Sequence, residues 1–208
     1  MERLVSLLGL VSFLLAAGMP YAYPFGGLLL RSLGVSDAGV SPLMSIGQAG
    51  EIVAFLLLAV SLRRLGFKAT FLIGVASWAV RFGIWSLGGP WPLVVFAISL
   101  NGLCYAFVLG LGQMFVDQRS DPDTRASAQA LHQVVTFGVG MWLGNLIGGA
   151  ALDCFQHQLP DGTSATDFTQ FYLWPALGAT ACFVIFALLF KTPTPRAARP
   201  APPPDLPT

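Results

Sequence analysis

Long stretches without charge constrain this chain more than any other feature. Leu4 to Leu30 and Trp91 to Val116 hold no charged residue. Ala38 to Leu62 holds only Glu51, Ala69 to Leu87 only Arg81, and Phe168 to Phe190 none. Ala126 to Leu152 has His132 as its one titratable group. A bilayer core of about 30 Å is crossed by roughly 20 apolar helical residues, so each stretch is long enough to span it. The runs are too long for barrel strands and do not alternate in polarity. Composition agrees: 55% of residues are hydrophobic and 10% charged, against roughly 25% charged in soluble domains. A net charge of +1 gives no field for nucleic acid. The expected fold class is all-α: a polytopic membrane protein with six transmembrane helices.

The spans are expected at about 4–30, 38–62, 69–87, 91–116, 126–152 and 168–190, within a bundle covering residues 1–191. Gly88-Gly89-Pro90-Trp91-Pro92 is a turn signal between the third and fourth. With six crossings, Arg3, Arg63, Arg64, Lys68, Arg119, Arg125, Lys191, Arg196 and Arg199 share one side and only Arg31 lies on the other. The positive-inside rule then makes both termini cytoplasmic. Residues 1–17 have signal-peptide character, but the apolar run continues past Pro24 and is read as a span. Residues 192–208 carry seven of the fifteen prolines and are expected to form a disordered cytoplasmic tail. Cys104, Cys154 and Cys182 have no metal-ligand spacing and are expected to be structural.

Charges inside a bilayer cost about 2.5–3.5 kcal/mol on insertion scales, so each is a functional candidate. Glu51 lies near the middle of the second span. Gln48 stands three residues earlier on the same helical face, and Ser45 and Phe55 extend the stripe. Gly47, Gly50 and Ala54 form a separate small-residue stripe suited to close packing. An amide donates and accepts, and a carboxylate accepts hydroxyl protons, which suits an uncharged hydroxylated ligand. Glu51 is also the candidate proton carrier. The competing reading is that Glu51 pairs with Arg81 only to hold helices together. For Arg81 itself, a buried ion pair or a helix carbonyl end is at least as good a partner as a substrate. Asn101 and Tyr105 share a face of the fourth span, and His132, Gln133 and Thr136 follow at helical spacing in the fifth. Pro20 and Pro24 should break the first span, with Tyr21 and Tyr23 at the break, where broken helices line transporter sites. No phosphate-binding glycine loop, metal-ligand cluster or nucleophile–base set is present in the sequence, so neither a cofactor nor an enzymatic role is expected.

These residues coincide with one family. Leu43-Met44-Ser45-Ile46-Gly47-Gln48 followed by Glu51, then Arg63-Arg64-Leu65-Gly66-Phe67-Lys68, resemble the C-terminal half of the nucleoside:H⁺ symporters of the major facilitator superfamily. Trp78-Ala79-Val80-Arg81-Phe82-Gly83, Arg125-Ala126-Ser127-Ala128-Gln129 and the glycines from Gly138 to Gly148 extend the match. The resemblance implies that the six spans correspond to family helices seven to twelve, and that Gln48 and Glu51 contact a nucleoside. It implies proton-coupled uptake across a bacterial inner membrane. The family's Phe-Asp pair of the tenth helix is not matched at Tyr105-Ala106, and Tyr105 is carried as a binding candidate alongside Tyr21, Tyr23, Asn101 and Gln133. A major facilitator has twelve helices in two halves, with the site between them. A second six-helix half or a homodimer is therefore expected as partner. The alternative function is a non-transporting membrane scaffold derived from a carrier half.

Overall fold

The structure, a computed structural model, describes residues 2–158, 160 and 164–190. The expected proline-rich tail, 192–208, lies outside them. The described chain is helical throughout, apart from one small hairpin. The first span is assembled from three pieces, Glu2–Ala17, Met19–Ala22 and Pro24–Ser32. Pro20 and Pro24 remove amide donors from the ladder, which is the physical reason for the expected break.

The second and third spans form one continuous helical element, Asp37–Ser86. Fifty helical residues would run about 75 Å, far beyond a bilayer core of about 30 Å. Gly66 resolves the excess: at φ 76° and ψ 173° its backbone is non-helical and divides the element into two arms. Only glycine adopts that φ without steric penalty. The fourth span comprises Trp91–Ser99, Asn101–Cys104, a π-helical segment Tyr105–Gly110 and Leu111–Arg119. The fifth comprises Arg125–Gln133, a π-helical segment Val134–Gly140 and Met141–Phe155. The sixth is Phe168–Leu189. Counting the two arms separately gives the six crossings expected from sequence.

Side-chain contacts fix how the spans alternate. Phe67, just past the Gly66 break, packs on Phe115 at 4.9 Å and Phe190 at 5.5 Å. Lys68 Nζ donates to the Ala187 carbonyl at 2.6 Å, satisfying an open carbonyl at the end of the sixth span. The second-to-third turn and the ends of the fourth and sixth spans therefore share one end of the bundle. Arg63, Arg64, Lys68, Arg119 and Arg125 cluster there. At the opposite end, Arg31 pairs with Asp37 at 2.7 Å across the first turn, which lies beside Trp91 at the start of the fourth span. The loop between the fifth and sixth spans contains a hairpin that the sequence reading did not anticipate. Strands β1 (Gln156–Gln158) and β2 (Ser164–Thr166) pair antiparallel. Three-residue strands are too short for a periodicity signal.

The core lies between the third and sixth spans and is largely aromatic. Trp78, Trp85, Phe71, Phe82, Phe171, Tyr172, Phe186 and Phe190 are fully buried. Phe71 stacks on Phe186 at 4.3 Å, and Trp85 meets Tyr172 edge-on at 5.0 Å. The second and fourth spans approach backbone to backbone. A Cβ on Gly102 would run into the Gly50 carbonyl, and one on Gly47 would press on Asn101 and Ile98. The small stripe of the second span thus packs, as its spacing implied, and turns the Glu51 side toward the fourth span's polar residues. Gly102→Val should lower stability by about 2–3 kcal/mol through overpacking. Gly149, with no atom near its missing Cβ, should tolerate alanine within about 0.5 kcal/mol. Thermal unfolding of both variants in one detergent checks the pair.

Candidate functional site

The site begins at the break in the first span. Two carbonyls beside the break accept side-chain hydrogen bonds from other spans, in an environment that offers no water. Tyr172 Oη donates to the Tyr21 carbonyl at 3.1 Å, and Arg81 Nη2 to the Ala22 carbonyl at 3.5 Å. The break leaves Tyr23, between two helical pieces, facing the second span. Its hydroxyl donates to Glu51 Oε1 at 3.2 Å.

Four spans meet around that carboxylate. Asn101 Nδ2 donates to Glu51 Oε1 at 2.5 Å and to Tyr23 Oη at 3.0 Å. The other end of the same amide accepts from Arg81 Nη1 at 2.6 Å. Arg81 is 1% exposed and Asn101 4%, whereas Glu51 and Tyr23 are half-buried. The result is a continuous polar line, from Arg81 through Asn101 to Glu51 and Tyr23, set in an apolar bundle. Arg81 and Glu51 do not form the direct ion pair considered from sequence. Arg31–Asp37 and Arg125–Asp117 form ion pairs, whereas Asn101 stands between the buried Arg81 and the half-buried Glu51. Sequence spacing gave no means of placing an asparagine from the fourth span between residues of the second and third.

One turn further along, the second and fourth spans open into a cavity of about 540 Å³. Phe55 lies four residues after Glu51 and Tyr105 four after Asn101, so the cavity adjoins the polar line. Their rings meet at 6.2 Å, and Tyr105 approaches Phe137 at 6.0 Å, forming an aromatic wall. Gln113, Gln129, Gln133 and Asp117 supply polar lining. Both π-helical segments border this space, where the widened turns displace side chains from regular α positions. Toward the arginine-rich end, Asp117 accepts from Gln129 Nε2 at 2.8 Å and lies 3.5 Å from Arg125 Nε. Sequence reasoning missed this group. An acid and a base flanking a short loop were the available signal.

The expected residues therefore separate into sets. Glu51, Tyr23 and Asn101 share the polar line, and Tyr105 and Gln133 line the cavity. Gln48 is exposed on the same face, one turn before Glu51. With its nitrogen toward its own helix, it donates to the Met44 carbonyl at 3.2 Å. Tyr21 turns the other way, into the aromatic core, 4.9 Å from Phe171. His132 Nε2 is buried near Gly112 with no hydrogen-bond partner among the described residues. All three cysteines are free thiols.

A six-span bundle of long apolar helices, with a buried arginine, a broken helix and a partly polar lateral cavity, has the architecture of a polytopic membrane protein. The comparisons place it more closely. The profile of the family described as "Nucleoside H+ symporter" matches residues 1–195, and the chain belongs to that family. It is 33% identical to the xanthosine permease of Escherichia coli strain K12 over 155 residues, covering 73% of this chain and 36% of that protein. It is 28% identical to the nucleoside permease NupG of the same organism over 192 residues, covering 86% and 45%. The crystal structure of the nucleoside transporter NupG superposes with a TM-score of 0.77 at 25% identity, covering 92% of this chain and 49% of that one. The chain thus spans less than half the length of the curated relatives it matches.

The two tyrosines of the break give a direct check of this geometry. Tyr23→Phe removes the hydroxyl that reaches Glu51 and should cost about 1 kcal/mol in thermal stability. Tyr21→Phe removes a hydroxyl that donates to no described residue, and should change stability by less than about 0.5 kcal/mol.

Proposed function

We propose that this chain forms one half of a proton-coupled nucleoside carrier in a bacterial inner membrane, with both termini cytoplasmic. The observation that carries the reading is the Glu51 carboxylate. It is held by Tyr23 and Asn101 on one oxygen, in an apolar bundle, beside an open cavity. Oε2 accepts no hydrogen bond among the described residues and is left for ligand hydroxyls. Gln48, a turn away on the exposed face, offers an amide for the base or ribose. Tyr105, Phe55 and Phe137 supply faces against which a planar base can stack. A volume of about 540 Å³ falls within the roughly 300–1,000 Å³ of small-molecule sites. Glu51 is the proton-coupling group in this reading, since a carboxyl that exchanges a proton changes from acceptor to donor toward its ligand. The positive end of the bundle, with Arg63, Arg64, Lys68, Arg119 and Arg125, faces the cytoplasm.

A second six-helix unit completes the carrier. The support is that Gln48 and Phe55 lie exposed on the side that holds the cavity, flanked by uncovered Ile52 at 67% and Leu56 at 73%. A polar face toward lipid is costly, whereas a facing half-carrier would enclose it.

Uridine uptake into proteoliposomes tests the function, with the chain alone and with a co-reconstituted partner half. An inward proton gradient should stimulate uptake, and Glu51→Gln should abolish the stimulated component. Gln48→Ala should weaken uridine binding about tenfold, the effect of losing one to two hydrogen bonds. Unaltered uptake in the Glu51 variant would overturn the assignment of the site.

A further inference from the structure

We propose that Arg81 is a positioning residue for Glu51, acting through the Asn101 side chain as a one-way hydrogen-bond relay. This rests on the reading of Glu51 as the ligand and proton site. Arg81 lies wholly inside the bundle, 1% exposed, with its guanidinium carbon 4.8 Å from the Trp85 ring centroid and 5.9 Å from that of Trp78. The indole faces stabilise a desolvated cation and hold it in place. Among the described residues no carboxylate pairs with it.

The relay follows from donor and acceptor inventories. A guanidinium only donates. Arg81 Nη1 therefore meets the oxygen end of the Asn101 amide, as the 2.6 Å contact to Oδ1 requires. The nitrogen end must then point to Glu51 and Tyr23, where both contacts are found. Asparagine alone could present either end to Glu51. Arg81 removes that freedom, so Asn101 offers only N–H bonds, which an ionised carboxylate accepts. The Tyr23 hydroxyl accepts from the same amide and donates its own hydrogen bond to Glu51 Oε1. Both donors fall on Oε1, which leaves Oε2 for a ligand. Arg81 thus sets both the acceptor character of Glu51 and the oxygen it presents, without touching ligand.

The composition makes this measurable. Asn101 and Asn145 are the chain's two asparagines, and Glu2 and Glu51 its two glutamates. Solid-state NMR of the full chain in lipid, with 15N-asparagine and 13C-glutamate, should show a through-space correlation between Asn101 Nδ2 and the Glu51 carboxyl carbon. Glu51→Gln identifies the carbon resonance. Arg81→Gln restores a partner that accepts as readily as it donates, and should remove most of the correlation. Arg81→Lys remains donor-only and should retain it. A wild-type protein lacking the correlation overturns the proposal, whether or not any variant folds. So does full intensity in Arg81→Gln, or loss in Arg81→Lys. Uridine affinity provides the second reading: Arg81→Gln and Asn101→Leu should each lower it about tenfold, and the double variant no further. If the NMR outcome is as expected but neither variant alters affinity, the relay stands and the ligand role of Glu51 fails.

Discussion

Arg81 is the constraint on which the arrangement depends. A cation in the middle of an apolar span is stable only if the surrounding bundle supplies what water would have supplied. Here three elements supply it to the two terminal nitrogens and the cation's face, while Nε is buried with no partner among the described residues. Trp78 and Trp85 of its own span offer ring faces, the broken first span offers the Ala22 carbonyl, and the fourth span offers the Asn101 amide. Each partner comes from a place the fold would otherwise leave open. The end of the short helix at the break accepts a donor at the Ala22 carbonyl, and the asparagine needs something to fix its direction. One residue meets both needs, and in doing so ties the first, third and fourth spans together.

Close backbone approach makes this possible. The second span could not bring Glu51 to Asn101 unless Gly47 and Gly50 let it lie directly on the fourth, where Gly102 faces Gly50. Small residues provide packing on one side of the helix, and the carboxylate sits at the edge of that contact. Packing and polarity are therefore not independent features of the second span. The glycine stripe sets the distance at which the carboxylate meets its donors. The π-helical segments then displace Tyr105 and Phe137 from regular α positions beside the cavity, so two irregular stretches of backbone, one in the fourth span and one in the fifth, shape its wall.

Much of this was legible in the sequence, for a specific reason. Membrane spans are written in continuous apolar runs, and intramembrane charges are rare enough to stand out. Glu51, Arg81, the proline break and the six crossings could all be found that way. What was not legible was partnership between spans. An Arg81–Glu51 ion pair was the competing reading because each was the only charge in its span, and nothing in the spacing revealed an amide between them. Tyr21 and Tyr23 looked equivalent, two residues apart at the same break. The structure sends one into the aromatic core and the other toward Glu51. The Asp117, Gln129 and Arg125 group was overlooked because its members belong to different spans and are individually unremarkable.

The sequence by itself determined the solvent the chain belongs in, the number of spans, the charged end of the bundle and the family. These depend on hydropathy, charge count and local motifs, which are properties of residues in order along the chain. Tertiary structure alone decided which oxygen of Glu51 is occupied, which tyrosine reaches it, and that Arg81 acts on it through an amide. Hydrogen bonds have direction and reach only about 3 Å, so their partners are chosen by how helices cross in space.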